Sequence, residues 1–188
     1  MNMLSEDEGR YLLGLARKAI TAYLEDGKVL EVEPSDVPKS LTENGACFTT
    51  LYEKGELRGC IGTLEAHRPL AFDVVDNIIS AAIKDPRFYP VTKEELPDLS
   101  IEISVLTKPE RLDVDGPQEL LEALVPGKHG LIIQKGVAKA TFLPLVWKKL
   151  PKKEDFLSQL CMKAGMLPDS WKQPGVSFFI YEAQEFSE

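Results

Sequence analysis

The chain has 188 residues, 44% of them hydrophobic and 28% charged, and a chain of this length buries a sizeable core without disulfides or metals. Its formal net charge is -8 and its pI about 5.0, which disfavours nucleic acid as a partner because an acidic surface repels phosphates. The chain has three cysteines without a framework spacing, a polar N-terminus and no apolar run of about 20 residues. These features predict a soluble cytoplasmic protein.

The first half of the chain predicts a helix, a β-hairpin, a second helix and a strand. Ser5 and Glu8 have the spacing of a capping box, and apolar residues then recur at helical spacing. β-forming residues flank a turn at Lys54-Gly55, and Pro69 favours the start of the second helix. The predicted elements cover about residues 6–24, 46–52, 57–63, 69 to Asp85, and 100–106.

The second half repeats the order of hairpin, helix and strand, after a short helix at 117–124. Its elements are expected at 130–143, 153–164 and 176–181. The repetition predicts an α+β fold in which a duplicated hairpin–helix–strand unit builds one shared, mainly antiparallel sheet. Residues 1–188 are expected to form a single domain, with two lobes of about 1–108 and 109–188 as the alternative.

The first hairpin contains an arginine and a cysteine that core packing does not readily explain. A turn centred on Lys54-Gly55 predicts Thr49 opposite Cys60 and Leu51 opposite Arg58. Alternation then puts Arg58 and Cys60 on one face, with Cys47, Thr49 and Leu51. The opposite face, expected to contact the core, has Phe48, Tyr52, Leu57 and Ile61. A register slip of one residue would change these partners.

Cys60 is therefore a candidate nucleophile, because a nearby guanidinium favours the reactive thiolate. Alternatively, Arg58 holds the carboxylate or phosphate of a ligand. Gly59 and Gly62 indicate a bulge or a close backbone approach, since glycine destabilises a strand. The competing interpretation is that Cys60 is a small buried hydrophobe and the glycines only relieve crowding.

Other candidates lie outside the hairpin. Asp85 and Arg87 end the second helix, either as a surface ion pair or as part of a ligand-binding cleft. Glu102 lies on the polar side of its strand, as a solvent-facing residue or as the partner of Arg58 and candidate base. His129 precedes a glycine in a loop. The sequence indicates no cofactor and no metal site: a P-loop, a dinucleotide glycine pattern and a three-cysteine radical-SAM cluster are all lacking.

The segment Leu57-Arg58-Gly59-Cys60-Ile61-Gly62 resembles the signature hexapeptide of the AMMECR family, whose prokaryotic members are called AmmeMemoRadiSam system protein A. Further stretches are similar to the family, and the resemblance covers about residues 12–181. They include Asp85-Pro86-Arg87-Phe88, His129-Gly130-Leu131-Ile132 and Phe142-Leu143-Pro144.

The resemblance implies a barrel-like sheet and an association with a Memo-like protein and a radical-SAM protein. It places Arg58, Gly59, Ile61, Gly62, Asp85, Arg87 and His129 at a ligand-binding cleft around Cys60, and it supplies no established reaction. Two functions stay open: binding or transformation of a small molecule or peptide, and a non-catalytic adaptor that binds a partner protein.

Overall fold

The structure is a computed structural model that describes residues 3–188, and the chain in it forms two compact units. The first unit extends to Leu106 and also includes Gln184–Glu188, whereas Thr107–Ala183 form the second. The last strand of the chain thus returns to the first unit. In the described part of the chain, no helix is long and apolar enough to cross a membrane.

The described residues contain four α-helices and nine strands. The helices are α1 (Glu6–Asp26), α2 (Leu70–Ile83), α3 (Pro117–Ala123) and α4 (Lys153–Lys163). The strands are β1 (Asn44–Glu53), β2 (Glu56–Gly62), β3 (Arg68–Pro69), β4 (Leu99–Leu106), β5 (Glu110–Leu112), β6 (Gly130–Lys135), β7 (Ala138–Phe142), β8 (Ser177–Tyr181) and β9 (Ala183–Ser187). All the predicted elements are present, and β3, β5 and β9 were not predicted.

Local sequence explains where the helices begin and end. The predicted capping box at the start of α1 is present, because Ser5 and Glu8 satisfy each other's backbone amides. Gly27 ends α1 in the left-handed conformation that glycine tolerates best. Pro69 is the residue that precedes α2, and most residues of this helix are buried. A predominantly apolar helix of this kind packs into the core of its unit.

The predicted duplication is visible in the strand order. In the first unit β1 lies between β2 and β4, and in the second β6 lies between β7 and β8. All the pairings recorded for these strands are antiparallel, so the predicted α+β class is confirmed. The prediction of one shared sheet was wrong: the halves form two separate sheets. The barrel-like closure is not confirmed either, since neither sheet closes within residues 3–188.

Each unit has its own hydrophobic core. In the first, α1 and α2 contribute Leu12, Ile20 and Ile78, all fully buried with Leu51 of β1. In the second, Trp147 stacks on Phe156 with ring centroids 3.7 Å apart. Cys161 is also fully buried there, as its position on the apolar side of α4 predicted. Each of the two sheets thus packs against a hydrophobic core of its own.

Candidate functional site

A β-bulge at Arg58 sets the geometry of the first hairpin. Tyr52 pairs with Leu57, as the turn predicted, but Leu51 pairs with Gly59, so Arg58 is an extra residue on β2. Beyond the bulge the register is shifted, and Thr50 rather than Thr49 lies opposite Cys60. The predicted pairs of Thr49 with Cys60 and Leu51 with Arg58 were therefore wrong. The second hairpin has no register shift: Gln134 to Lys139 and Ile132 to Thr141 keep the simple pairing.

The predicted core face of β1 was wrong, because the bulge puts Ile61 opposite Thr49 instead of Phe48. Cys47, Thr49 and Leu51 are fully buried and face the core, whereas Phe48 and Tyr52 are half-buried on the other face. The predicted alternation in β4 is confirmed, because Ile101 and Ile103 pair with the core-facing residues of β1.

Three polar side chains form a row across β2, β1 and β4 on the face opposite that core. Thr50 pairs with Cys60 on one side and with Glu102 on the other, and directly paired residues share a face. The Thr50 hydroxyl donates to Cys60 Sγ over 3.3 Å. Tyr52 donates its phenol proton to Glu102 Oε1 over 3.4 Å. The Cys60 row consists of Cys60, Thr50 and Glu102.

The Cys60 row holds a neutral thiol. Burial raises the pKa of Cys60 above its usual value, and the hydrogen bond from Thr50 and the charge of Arg87 offset this only in part. The carboxylates of Asp85 and Glu102 raise this pKa further. The raised pKa does not favour the thiolate that the nucleophile interpretation of Cys60 requires, and that interpretation stays a prediction. Across residues 3–188, no three His, Cys, Asp or Glu side chains gather as a metal site.

The loop after α2 covers the outer edge of β2 at Cys60. The Cys60 amide donates to Asp85 Oδ2 over 2.9 Å, and Arg87 Nη2 donates to the Cys60 carbonyl over 3.4 Å. Arg87 also donates to both oxygens of Asp85, over 2.9 and 2.6 Å. The pair is only partly at the surface, since the Asp85 side chain is 2% exposed and that of Arg87 53%. These bonds hold the pKa of Asp85 at about 2, chiefly through Arg87.

Arg58 contacts this loop and the segment after it. Its Nε lies 2.6 Å from Glu95 Oε1 and its Nη2 3.2 Å from Glu95 Oε2. Its Nη1 donates to the Tyr89 carbonyl over 2.9 Å. The carboxylate that holds Arg58 is thus Glu95, and of the two interpretations of Glu102 the structure does not show the one that pairs it with Arg58. Glu95 was missed because it is 37 residues away along the chain, and no local spacing links it to Arg58.

The two glycines of the hexapeptide accommodate close approaches. A Cβ at Gly59 would lie 2.2 Å from the Ala81 carbonyl oxygen of α2, and one at Gly62 would lie 2.4 Å from the Phe48 ring. The predicted close approach is therefore real, and its partners belong to this chain. Ile61 packs against the first core. Gly59, Ile61 and Gly62 thus position the strand that carries Cys60.

His129 belongs to the second unit, unlike the other candidates. Its Nδ1 accepts a hydrogen bond from the Val125 amide over 3.2 Å, and its carbonyl accepts one from Trp147 Nε1 over 2.7 Å. Burial, followed by the charge of Lys128, lowers the pKa of His129. These contacts tie the loop before β6 to the core of that unit.

A buried polar cluster behind β1 was missed by the sequence prediction. Asp73 is fully buried on α2, and its Oδ2 accepts hydrogen bonds from the Cys47 amide at 3.2 Å, Asn77 Nδ2 at 2.9 Å and the Thr63 hydroxyl. Asn77 also donates to the Cys47 carbonyl over 3.1 Å. The available signal was two polar residues, Asp73 and Asn77, four apart on a predominantly apolar helix.

The comparison with known proteins decides the family. The model of the AMMECR1 family matches residues 13–186. The chain belongs to the AMMECR1 family. This confirms the resemblance based on the hexapeptide and the stretches that follow it.

Relatives match this chain over nearly its whole length, and a solved structure has a similar fold. Protein MK0488 of Methanopyrus kandleri is 42% identical over 193 residues, which cover 98% of this chain and 90% of the relative. Protein MJ0810 of Methanocaldococcus jannaschii is 42% identical over 195 residues, with 100% and 94% covered. The crystal structure of "Uncharacterized Protein PH0010" from Pyrococcus horikoshii has a TM-score of 0.92 at 37% identity, with 98% and 93% covered.

Proposed function

We propose that this AMMECR1 protein binds a small molecule or peptide at the Cys60 row, as one component of a pathway with a Memo-like protein and a radical-SAM protein. The observation that most supports ligand binding is the pairing of Thr50 with both Cys60 and Glu102. It collects a thiol, a hydroxyl and a carboxylate on one face of a sheet. Such convergent polar groups orient a ligand and give it specificity.

Binding is favoured over nucleophilic catalysis by the state of the thiol. A catalytic cysteine normally has a depressed pKa, whereas burial raises that of Cys60. Burial and the neighbouring Glu102 also raise the pKa of Tyr52, so its phenol is a neutral donor. The row therefore offers a neutral thiol and one carboxylate to a ligand, and the neutral phenol of Tyr52 lies beside that carboxylate.

The backbone at the row is fixed before any ligand arrives. Asp85 and Arg87 hold the amide and carbonyl of Cys60, and Gly59 seats β2 on α2. A binding site that is already ordered avoids the entropy cost of ordering it on binding. Asp85, Arg87 and Gly59 thus support the row rather than contact the ligand themselves.

The test is complementation of a host that lacks its own AMMECR1 gene. The chain is supplied as wild type, Glu102→Gln, Cys60→Ser or the control Glu110→Gln, which makes the same chemical change at an exposed position of β5. Thermal melts of the purified variants show whether each one folds. Glu102→Gln is expected to lose complementation, because an amide cannot replace the charge of the carboxylate. Cys60→Ser is expected to keep part of it, because serine is also a neutral hydrogen-bonding group.

Two outcomes would contradict the proposal. If Glu102→Gln folds and complements as well as Glu110→Gln, the row binds nothing that the pathway needs. If Cys60→Ser folds normally but has no activity at all, Cys60 acts as a nucleophile. The pathway assignment is tested separately, by co-purifying the tagged chain with the Memo-like and radical-SAM proteins of the same genome. The pathway assignment would be overturned if deleting the gene for this chain left the reaction products of the Memo-like and radical-SAM proteins unchanged.

A further inference from the structure

A pocket of about 510 Å³ lies within the first unit, and none of its lining residues belongs to β2. It is bordered by an extended segment between α1 and β1 and by the start of α2. Its lining consists of Val29, Leu30, Glu31, Val32, Glu33, Arg68, Pro69, Phe72, Val75 and Asp76. The volume falls within the range of small-molecule sites in proteins, roughly 300–1,000 Å³.

The inner wall of this pocket is apolar and fixed. Leu30, Val32 and Phe72 pack against the first hydrophobic core, and Val75 is itself part of that core. Val29 stands at the border with 56% of its surface exposed. A wall built on a packed core keeps its shape, so the pocket favours a ligand with an apolar body.

The charged groups of the lining are mostly acidic. Glu31, Glu33 and Asp76 contribute three carboxylates against the one guanidinium of Arg68, which gives the lining a formal net charge of -2. The two glutamates are exposed. An excess of carboxylates at the border of an apolar pocket attracts cations and repels anions.

Arg68 does not reverse this preference, because carboxylates of the protein already hold it. Its Nη1 forms an ion pair with Asp76, and its Nε lies 3.4 Å from Asp73 Oδ1. Asp73 is fully buried, and this oxygen accepts no hydrogen bond from the described residues, so the guanidinium offsets its charge. An anionic ligand would have to compete with two carboxylates for Arg68.

We propose that this pocket binds a small organic cation, an ammonium group attached to an apolar chain. The chain lies against Leu30, Phe72 and Val75, and the ammonium group lies near Glu31 and Glu33. This site is separate from the Cys60 row and does not depend on the function proposed for it.

The experiment compares three probes with the same six-carbon chain: hexylammonium, hexanol and hexanoate. Binding to the full chain is followed by amide chemical shifts in NMR spectra, which also locate the site. Hexylammonium is expected to bind about tenfold more tightly than hexanoate, with hexanol between them, and to shift the amides of Val29, Phe72 and Val75. The preference should shrink as salt is added, because the two glutamates are exposed to solvent.

The matched variants are Glu31→Lys/Glu33→Lys in the pocket and Glu154→Lys/Asp155→Lys at exposed positions of α4 in the second unit. Both make the same change in net charge. The pocket variant is expected to reverse the preference for hexylammonium over hexanoate, and the α4 variant to leave it intact. All four substituted positions are exposed, so both proteins should fold, which circular dichroism checks.

The proposal is overturned if hexanoate binds as tightly as hexylammonium, if none of the probes shifts the pocket amides, or if both double variants behave alike. A fourth probe, N-acetyl-lysine N-methylamide, represents a lysine of a partner protein. If it binds more tightly than hexylammonium, the occupant is a protein side chain, and the assignment to a small molecule fails.

Discussion

The backbone amide of Cys60 donates to the carboxylate of Asp85, 25 residues further along the chain, over 2.9 Å. β2 is at one edge of its sheet, and the Cys60 amide is on the side of β2 that has no neighbouring strand. Asp85 takes the place of that strand as acceptor, and Arg87 in turn donates to the Cys60 carbonyl. An edge strand covered by a loop in this way is protected from pairing with other chains. The position of the Cys60 row thus depends on a buried carboxylate outside the sheet.

The substitution Asp85→Asn should lower the free energy of unfolding at pH 7 by about 1–3 kcal/mol, because charge-assisted hydrogen bonds are lost. The effect should depend on pH. The pKa of Asp85 is about 2 in the folded chain against an ordinary value of 3.8, so its stabilisation is complete above pH 4. This stabilisation is lost as the pH falls from about 4 to 2, because the carboxyl of Asp85 then becomes protonated in both the folded and the unfolded chain.

Urea unfolding of wild type and Asp85→Asn from pH 7 to pH 2 checks this prediction. The difference between them should shrink towards pH 2, even though other carboxylates destabilise both proteins in acid. Asp113→Asn is the control, because Asp113 forms an exposed pair with Arg111 and should matter little. A difference between wild type and Asp85→Asn that stays constant down to pH 2 would show that the charge of Asp85 is not what stabilises the fold.

The three cysteines should differ in reactivity. Cys60 is partly exposed, whereas Cys47 and Cys161 are buried, so iodoacetamide should label Cys60 alone in the folded protein. Labelling should be slow at pH 7 and accelerate only above the ordinary thiol range, because burial raises the pKa of Cys60.

Thr50→Val should make labelling of Cys60 slower still at a given pH, because the hydrogen bond from Thr50 lowers the pKa of Cys60. Mass spectrometry of the labelled protein as a function of time and pH measures both effects. Fast labelling of Cys60 at pH 7 would instead indicate a thiolate and would restore the nucleophile hypothesis.

Arg58 and Glu95 should be strongly coupled. Their side chains are only 14% and 20% exposed, and the guanidinium contacts both carboxylate oxygens. A double-mutant cycle with Arg58→Met and Glu95→Gln should give a coupling energy of about 1–3 kcal/mol from urea unfolding. The exposed pair of Lys54 and Asp98 should give less than about 1 kcal/mol in the same cycle. Equal values for the two pairs would mean that the Arg58 pair does not anchor the bulge.

Local sequence was enough to predict the helices and the part of the hairpin next to its turn. Tyr52 and Leu57 pair as the Lys54-Gly55 turn requires, because turn geometry fixes the register of nearby residues. The shift beyond Arg58 was not predictable in that way, since it coincides with contacts to Glu95 and Tyr89 more than 30 residues away. A single bulge then changed every partner of Cys60.

The buried cluster was missed for a related reason. Asp73 and Asn77 are polar, and a helical pattern normally assigns polar positions to solvent. Only the tertiary structure shows that Cys47 and Thr63 supply the donors that make burial of the Asp73 carboxylate tolerable. The separation into two sheets was likewise not evident, because an internal duplication is compatible with one sheet or with two.

The last prediction concerns glycine. Gly59→Ala should destabilise the protein by about 1–3 kcal/mol, because a Cβ there would lie 2.2 Å from the backbone carbonyl oxygen of Ala81 and would push β2 away from α2. Gly14→Ala is the matched control. Gly14 is exposed inside α1 with no atom within 4 Å of its added Cβ, so this change should stabilise the protein by about 0.5–1 kcal/mol. Thermal melts and urea unfolding give both values. If Gly59→Ala were as well tolerated as Gly14→Ala, the glycine of the hexapeptide would not be needed for packing, and a ligand that approaches the backbone there would become the better explanation.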